Sequence, residues 1–255
     1  MTAIVAVGIV AALAVVIIDR HHSSAARPVS PDVAGPVLLV PGYGGSITGL
    51  TVLATRLRAS GRTVTIFSPP GDATGDLRAQ AQALAGAAEA ALGSAGATSI
   101  DVVGYSAGGV VARLWVRDYG GAKIARRIVT MGSPQHGTQL AGIAGSVAPS
   151  ECPTACQQLA PDSDLLAALN SGDETPVGPT FVSIWSTGDD VVIPPESAKL
   201  SGALNIEVQS VCAGTRVNHG QLPTDPLVDA MVAAELVAGP PVPLTAADCS
   251  RLQAS

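Results

Sequence analysis

The pentapeptide Gly104-Tyr105-Ser106-Ala107-Gly108 sets a serine between glycines two positions away on either side. It follows the strand-like run Ser99–Val103 and precedes an Ala/Val/Leu stretch, so it reads as a tight strand-to-helix turn. Such a turn strains the backbone at the serine and leaves space only for glycine around it. It also points the hydroxyl at the free N–H groups that open a helix. A serine hydroxyl is a weak nucleophile until a base takes its proton. Of the four histidines, His21 and His22 adjoin the apolar amino terminus and are set aside. His219, in Asn218-His219-Gly220, follows the acids Asp189 and Asp190, whereas His136 precedes them. With the chain order nucleophile, acid, base, His219 is the base and His136 a loop residue that shapes the wall of the site. Asp189 and Asp190 lie thirty and twenty-nine positions before His219, which leaves room for one strand between acid and base. Either carboxylate can hold the imidazole in one tautomer and stabilise its protonated form. The developing oxyanion needs two donors, and the N–H groups of Ala107 and Tyr43 are the candidates. Tyr43 lies in Pro41-Gly42-Tyr43-Gly44-Gly45, a glycine-rich loop after an apolar run. Neither G-x-x-x-x-G-K nor G-x-G-x-x-G occurs in that loop, so it does not read as a nucleotide cradle.

The elements that must carry these residues alternate along the chain. Strand-like runs are Pro36–Val40, Thr63–Phe67, Ser99–Val103, Ile128–Met131, Thr180–Trp185 and Leu204–Val211. Helical stretches are Leu50–Ser60, Asp76–Leu92 and Ala107–Tyr119, the first two stopped by Gly61 and Gly93. Strand–helix alternation of this kind predicts an α/β fold, a mostly parallel sheet with helices on both faces. The rhythm breaks from Ser133 to Pro179, where Gly, Pro and two cysteines dominate. An insertion there overlies the carboxyl ends of the strands, where sites form, and it contains no long helical lid.

Composition narrows the function classes. Hydrophobic residues make up 47% and charged residues 13% of the 255, enough for a real core. At a net charge of −6, with no basic run in the globular part, nucleic-acid binding is not expected. Residues 2–18 carry no charge, and as a helix would rise about 25 Å, the short end of a bilayer span. Residues 1–26 therefore read as an export signal or membrane anchor, 27–35 as a linker and 36–255 as one catalytic domain. The expected location is secreted or at the cell surface, with membrane association through residues 2–18. Four cysteines in an exported chain suggest two disulfides, Cys152–Cys156 closing a small loop and Cys212–Cys249 fastening the carboxy-terminal tail.

With these pieces in place the chain resembles the bacterial triacylglycerol lipases, the small lipases of bacilli and those of actinomycetes in particular, within the α/β-hydrolase superfamily. The likeness spans roughly residues 36–226. Its carriers are Val40-Pro41-Gly42-Tyr43-Gly44-Gly45, Gly104–Gly109, Met131-Gly132-Ser133-Pro134-Gln135-His136-Gly137-Thr138, Ser183–Asp189 and Asn218-His219. The match over Ser183–Asp189 implies that the acid is Asp189 rather than Asp190, and the loop match implies Tyr43 and Ala107 as the oxyanion hole. What the resemblance implies is an acyl-ester or lipid substrate, hydrolysis through Ser106, Asp189 and His219, and no cofactor or metal. Two rivals use the same residues or none of them: an acyltransferase or thioesterase, and a non-catalytic surface binding protein. Pro41-Gly42 stands where many members have histidine-glycine.

Overall fold

A computed structural model describes residues 29–254. The expected export segment, residues 1–26, lies outside them. Six parallel strands form one sheet in the order β2-β1-β3-β4-β5-β6. They are β1 (Val37–Val40), β2 (Val64–Ile66), β3 (Ile100–Tyr105), β4 (Ala125–Met131), β5 (Thr180–Trp185) and β6 (Leu204–Glu207). The long helices are α1 (Thr48–Ala59), α2 (Leu77–Ala95), α3 (Ala107–Asp118) and α8 (Pro226–Glu235).

Alternating strand residues feed two cores. Leu38, Val40, Ile100, Val102 and Ile128 pack with Leu84 of α2 and Trp115 of α3 on one face. Val37, Leu39, Val103, Val129 and Ile184 pack with Leu53 of α1 and Met231 of α8 on the other. A strand buried on both faces is a near-continuous apolar run, which is why β1 stands out in the sequence. The architecture is that of the α/β-hydrolases.

The chain passes outward from β1 to β2, then returns across β1 to place β3 on its other side. That reversal leaves a crevice at the carboxyl ends of β1 and β3, where ligands bind in sheets of this type. Pro41–Gly45 leaves β1 there, and Ser106 leaves β3.

Several boundaries differ from the sequence expectation. The second helix, expected to stop at Gly93, runs through it to Ala95 and is ended by the left-handed Gly96, since a single glycine weakens a helix without breaking it. The fourth strand begins at Ala125 rather than Ile128, because Arg126 and Arg127 lie within it. Both are buried: Arg126 forks onto Asp101 of β3 at 2.8 and 2.7 Å, and Arg62 reaches the same carboxylate at 2.6 Å. The sixth strand stops at Glu207, and Val208–Val211, expected as its continuation, is the short helix α7. A short apolar run fits either structure by periodicity alone. The segment after Ser133 folds into three short helices, α4 (Gln139–Val147), α5 (Thr154–Gln158) and α6 (Asp164–Leu169).

Both expected disulfides are present, Cys152–Cys156 before and within α5, and Cys212–Cys249 joining the end of α7 to α9 (Cys249–Gln253). Of the stretch expected as a linker, Pro31, Val33 and Gly35 accept hydrogen bonds from Arg126, Ser99 and Arg62. Among the described residues no helix is long and apolar enough to cross a membrane.

Candidate active site

Ser106 sits at φ 53° and ψ −127°, a left-handed conformation that costs a non-glycine residue about 1–3 kcal/mol. The turn is held by its surroundings. The Ser106 N–H donates to the Met131 carbonyl at 2.9 Å. A Cβ at Gly104 would stand 2.6 Å from Gly109, and one at Gly108 would stand 2.3 Å from the Val40 carbonyl oxygen. The two glycines of the motif are thus needed for the close approach of β3, α3 and β1. Gly42 is equally constrained, since a Cβ there would come within 2.8 Å of the Ser106 Cβ. This contact brings the Pro41–Gly45 loop against the serine. Tyr43, the next residue, is 43% exposed. Ala107 opens α3, so its N–H is one of those with no acceptor inside the helix.

The other expected residues converge on the same point. His219 Nε2 lies 2.9 Å from Ser106 Oγ, and His219 Nδ1 lies 2.8 Å from Asp189 Oδ2. Ser106, Asp189 and His219 are all buried. The free oxygen of Asp189 accepts from the N–H groups of Val191 and Val192 at 2.9 and 2.8 Å. With one oxygen fixed by the backbone, the other is aimed at the imidazole. His219 itself opens a single helical turn capped by Asn218, whose side chain and that of Gln221 form a reciprocal capping box.

The acid loop after β5 and the histidine loop are latched together. Ser186 Oγ donates to the Val217 carbonyl at 2.5 Å and accepts from Gln209 Nε2 at 2.9 Å and the Gly188 N–H at 3.0 Å. The loop after β5 is also tied to the segment after β4 by Thr138, which donates to the Val191 carbonyl at 2.6 Å and accepts from the Ile193 N–H at 3.1 Å.

The sequence reading named several residues of the site without finding what they do there. Gly132, at φ 52°, leaves space for Asp189 and His219: a Cβ there would lie 2.4 Å from Leu222 Cδ1 and 2.9 Å from Asp189 Oδ2. The Tyr105 hydroxyl donates to the His219 carbonyl at 3.1 Å, with the two rings 5.1 Å apart. Burial, and then the Asp189 and Asp190 charges, push its phenol up to about 12. Asp190 accepts the His219 N–H at 3.2 Å. Tyr105 and Gly132 lie inside motifs and Asp190 stands beside Asp189, but their contacts with His219 and Asp189 form only on folding.

His136 is held away from Ser106. Its Nε2 lies 2.9 Å from Glu174 and its Nδ1 3.3 Å from the Ser197 carbonyl. Burial raises the Glu174 pKa, but the His136 and Ser201 hydrogen bonds outweigh it and hold the carboxyl below its ordinary value. Neighbouring Gln135 accepts from the buried Arg113, which also bonds Asn170 and the Glu174 carbonyl. This cluster ties the insertion to the loop after β4.

The rim beside the acid is apolar. Val191 is 40% and Leu140 is 44% exposed, and the two are bridged by Thr138. Ile143 and Val147 continue the exposed apolar face along α4, above a groove of about 420 Å³. Among the described residues no group of three or more His, Cys, Asp or Glu side chains is placed to hold a metal ion.

Comparison with known proteins points to lipases. The family model described as Lipase (class 2) matches residues 87–231, more than half of the chain. Lipase B of Pseudozyma antarctica is 28% identical over 192 residues, covering 71% of this chain and 55% of the relative. Aspergillus fumigatus lipase B superposes with a TM-score of 0.69 at 20% identity, over 82% of this chain and 54% of that one. The mature Bacillus licheniformis lipase BlEst2 gives a TM-score of 0.58 at 16% identity, over 71% of this chain and 85% of that one. At these identities the structural likenesses establish the fold. The chain spans about half the length of these two lipases B.

Proposed function

We propose that this chain, which belongs to the class 2 lipase family, is a serine carboxylic-ester hydrolase acting on lipid-like acyl esters. The observation that carries the reading is the pair of hydrogen bonds running from Ser106 through His219 to Asp189, at 2.9 and 2.8 Å, at the strained turn.

The mechanism follows from that geometry. His219 Nε2 takes the hydroxyl proton as Ser106 Oγ attacks the ester carbonyl carbon. Asp189 holds the Nδ1–H and stabilises the imidazolium, while the carbonyl oxygen, now an oxyanion, is met by the N–H groups of Ala107 and Tyr43. The imidazolium returns its proton to the departing alkoxide, the alcohol leaves and Ser106 keeps the acyl group. Water then gives its proton to His219 and attacks the acyl carbon, releasing the acid and restoring the hydroxyl. The apolar rim of Leu140 and Val191 favours a hydrophobic acyl group over a polar one. No step uses a cofactor.

Residues 36–255 form the catalytic domain in this reading, and residues 1–26 direct export. Two disulfides support an oxidising, extracytoplasmic location. The test is hydrolysis of p-nitrophenyl esters from acetate to palmitate by the wild type and by Ser106→Ala. The expected result is turnover that rises beyond acetate and is lost in the variant. Folded wild-type protein with no activity at any chain length would move the reading to acyl transfer or to a non-catalytic role.

A further inference from the structure

We propose that Tyr105 and Asp190 are positioning residues that clamp the backbone of His219 from both sides, an inference that rests on the triad reading above. His219 occupies a loop, and its ring must meet two partners at once. Side-chain torsions alone do not fix a ring whose backbone can shift. The Tyr105 hydroxyl donates to the His219 carbonyl at 3.1 Å, and Asp190 Oδ1 accepts the His219 N–H at 3.2 Å. The carbonyl takes a second bond from the Leu222 N–H at 3.2 Å, so it is held on two sides. The Tyr105 ring also packs against the imidazole, with centroids 5.1 Å apart and planes at 34°.

The arrangement has a logic in the chain. Tyr105 precedes the nucleophile and Asp190 follows the acid. Each outer member of the triad therefore brings, as its sequence neighbour, one bond to the backbone of the middle member. Ser106 and Asp189 contact the ring, while Tyr105 and Asp190 contact the peptide groups that carry it. A shift of the nucleophile or acid loop is transmitted to His219 through both sets of bonds, which keeps the three in register. Misplacing a reacting group by about 1 Å costs on the order of a hundredfold in rate, so a clamp that removes a fraction of that freedom acts on kcat. Substrate binding does not pass through these bonds, so KM should not respond.

Asp190→Asn keeps an oxygen acceptor for the His219 N–H, so it separates loss of the bond from loss of the carboxylate.

The experiment uses full-length wild type, Tyr105→Phe, Asp190→Ala and Asp190→Asn, with p-nitrophenyl butyrate kinetics across pH and thermal unfolding of each. Tyr105→Phe and Asp190→Ala should lose kcat on the order of tenfold at unchanged KM and with melting temperatures near wild type. Asp190→Asn, which keeps the oxygen acceptor, should recover most of kcat. Unchanged kcat in Tyr105→Phe and Asp190→Ala, a rise in KM alone, or losses that only track a lower melting temperature would overturn the clamp. Wild type that neither hydrolyses the ester nor reacts with a fluorophosphonate would instead overturn the hydrolase reading, and the clamp with it.

Discussion

The chemistry at the residue scale depends on groups that sequence motifs expose unevenly. Ser106 and His219 declare themselves through glycine framing and chain order, and the structure brings them to 2.9 Å. Asp189 and Asp190 are indistinguishable by type and spacing, and only the family likeness selects between them. The physical difference is in the loop: Asp189 is anchored by two backbone N–H groups behind the imidazole, while exposed Asp190 reaches the His219 peptide. Gly132 was invisible because its importance lies in what comes near it after folding. Replacing it with alanine sets a Cβ against Leu222 and the Asp189 carboxylate at φ 52°. The expected cost is about 1–3 kcal/mol in stability, with a loss of kcat as the acid is displaced from His219. Denaturant unfolding and steady-state kinetics of Gly132→Ala check both parts; a variant with wild-type kcat would show that the acid–base pair tolerates the intrusion.

Elements were legible where one physical signal dominated. β1 is apolar and buried on both faces, and the sequence marks it clearly. The start of β4 was hidden by Arg126 and Arg127, which look like loop residues until Asp101 and the carbonyls of Leu236, Val237 and Gly239 are placed around them. A buried guanidinium is tolerated when its donors are filled, and that is a tertiary property. α8 carries a related anomaly. Burial pushes the Asp229 carboxyl from 3.8 up to about 7, against the smaller downward pull of Arg56 at 3.0 Å. Burial likewise raises Glu235 to about 7, and its buried Oε1 has no hydrogen-bond partner among the described residues. A carboxyl whose folded pKa exceeds its unfolded value contributes stability below the unfolded pKa and loses it as pH rises through the folded one. The melting temperature should therefore fall by several degrees from pH 5 to pH 8, and Asp229→Asn with Glu235→Gln should flatten that slope. A melting temperature that climbs over the same range would contradict the burial argument.

At the scale of the whole molecule, the reversal of strand order, the insertion and the disulfides act together. The reversal between β1 and β3 opens the crevice, the loops after β3 and β5 meet the His219 loop there, and α4 carries exposed apolar residues. The Cys212–Cys249 bridge spans 37 residues and ties the tail to the segment that leads into the His219 loop. By loop-closure entropy it stabilises the fold by about 3–4 kcal/mol, and the short Cys152–Cys156 loop by about 2 kcal/mol. Cys212→Ser with Cys249→Ser should accordingly lower unfolding free energy more than the Cys152/Cys156 double variant; the reverse order would mean that the short bridge carries more than chain entropy. Pairing of all four cysteines was readable from their even number and spacing.

The central claim is that Ser106 is a nucleophile activated by His219, and covalent capture tests it most directly. The full chain is treated with a fluorophosphonate, digested, and the labelled peptide located by mass spectrometry, alongside Ser106→Ala and His219→Ala. The account predicts one adduct, on Ser106, absent from Ser106→Ala and formed far more slowly in His219→Ala. Folded wild-type protein left unlabelled, or labelled at another residue, would contradict it.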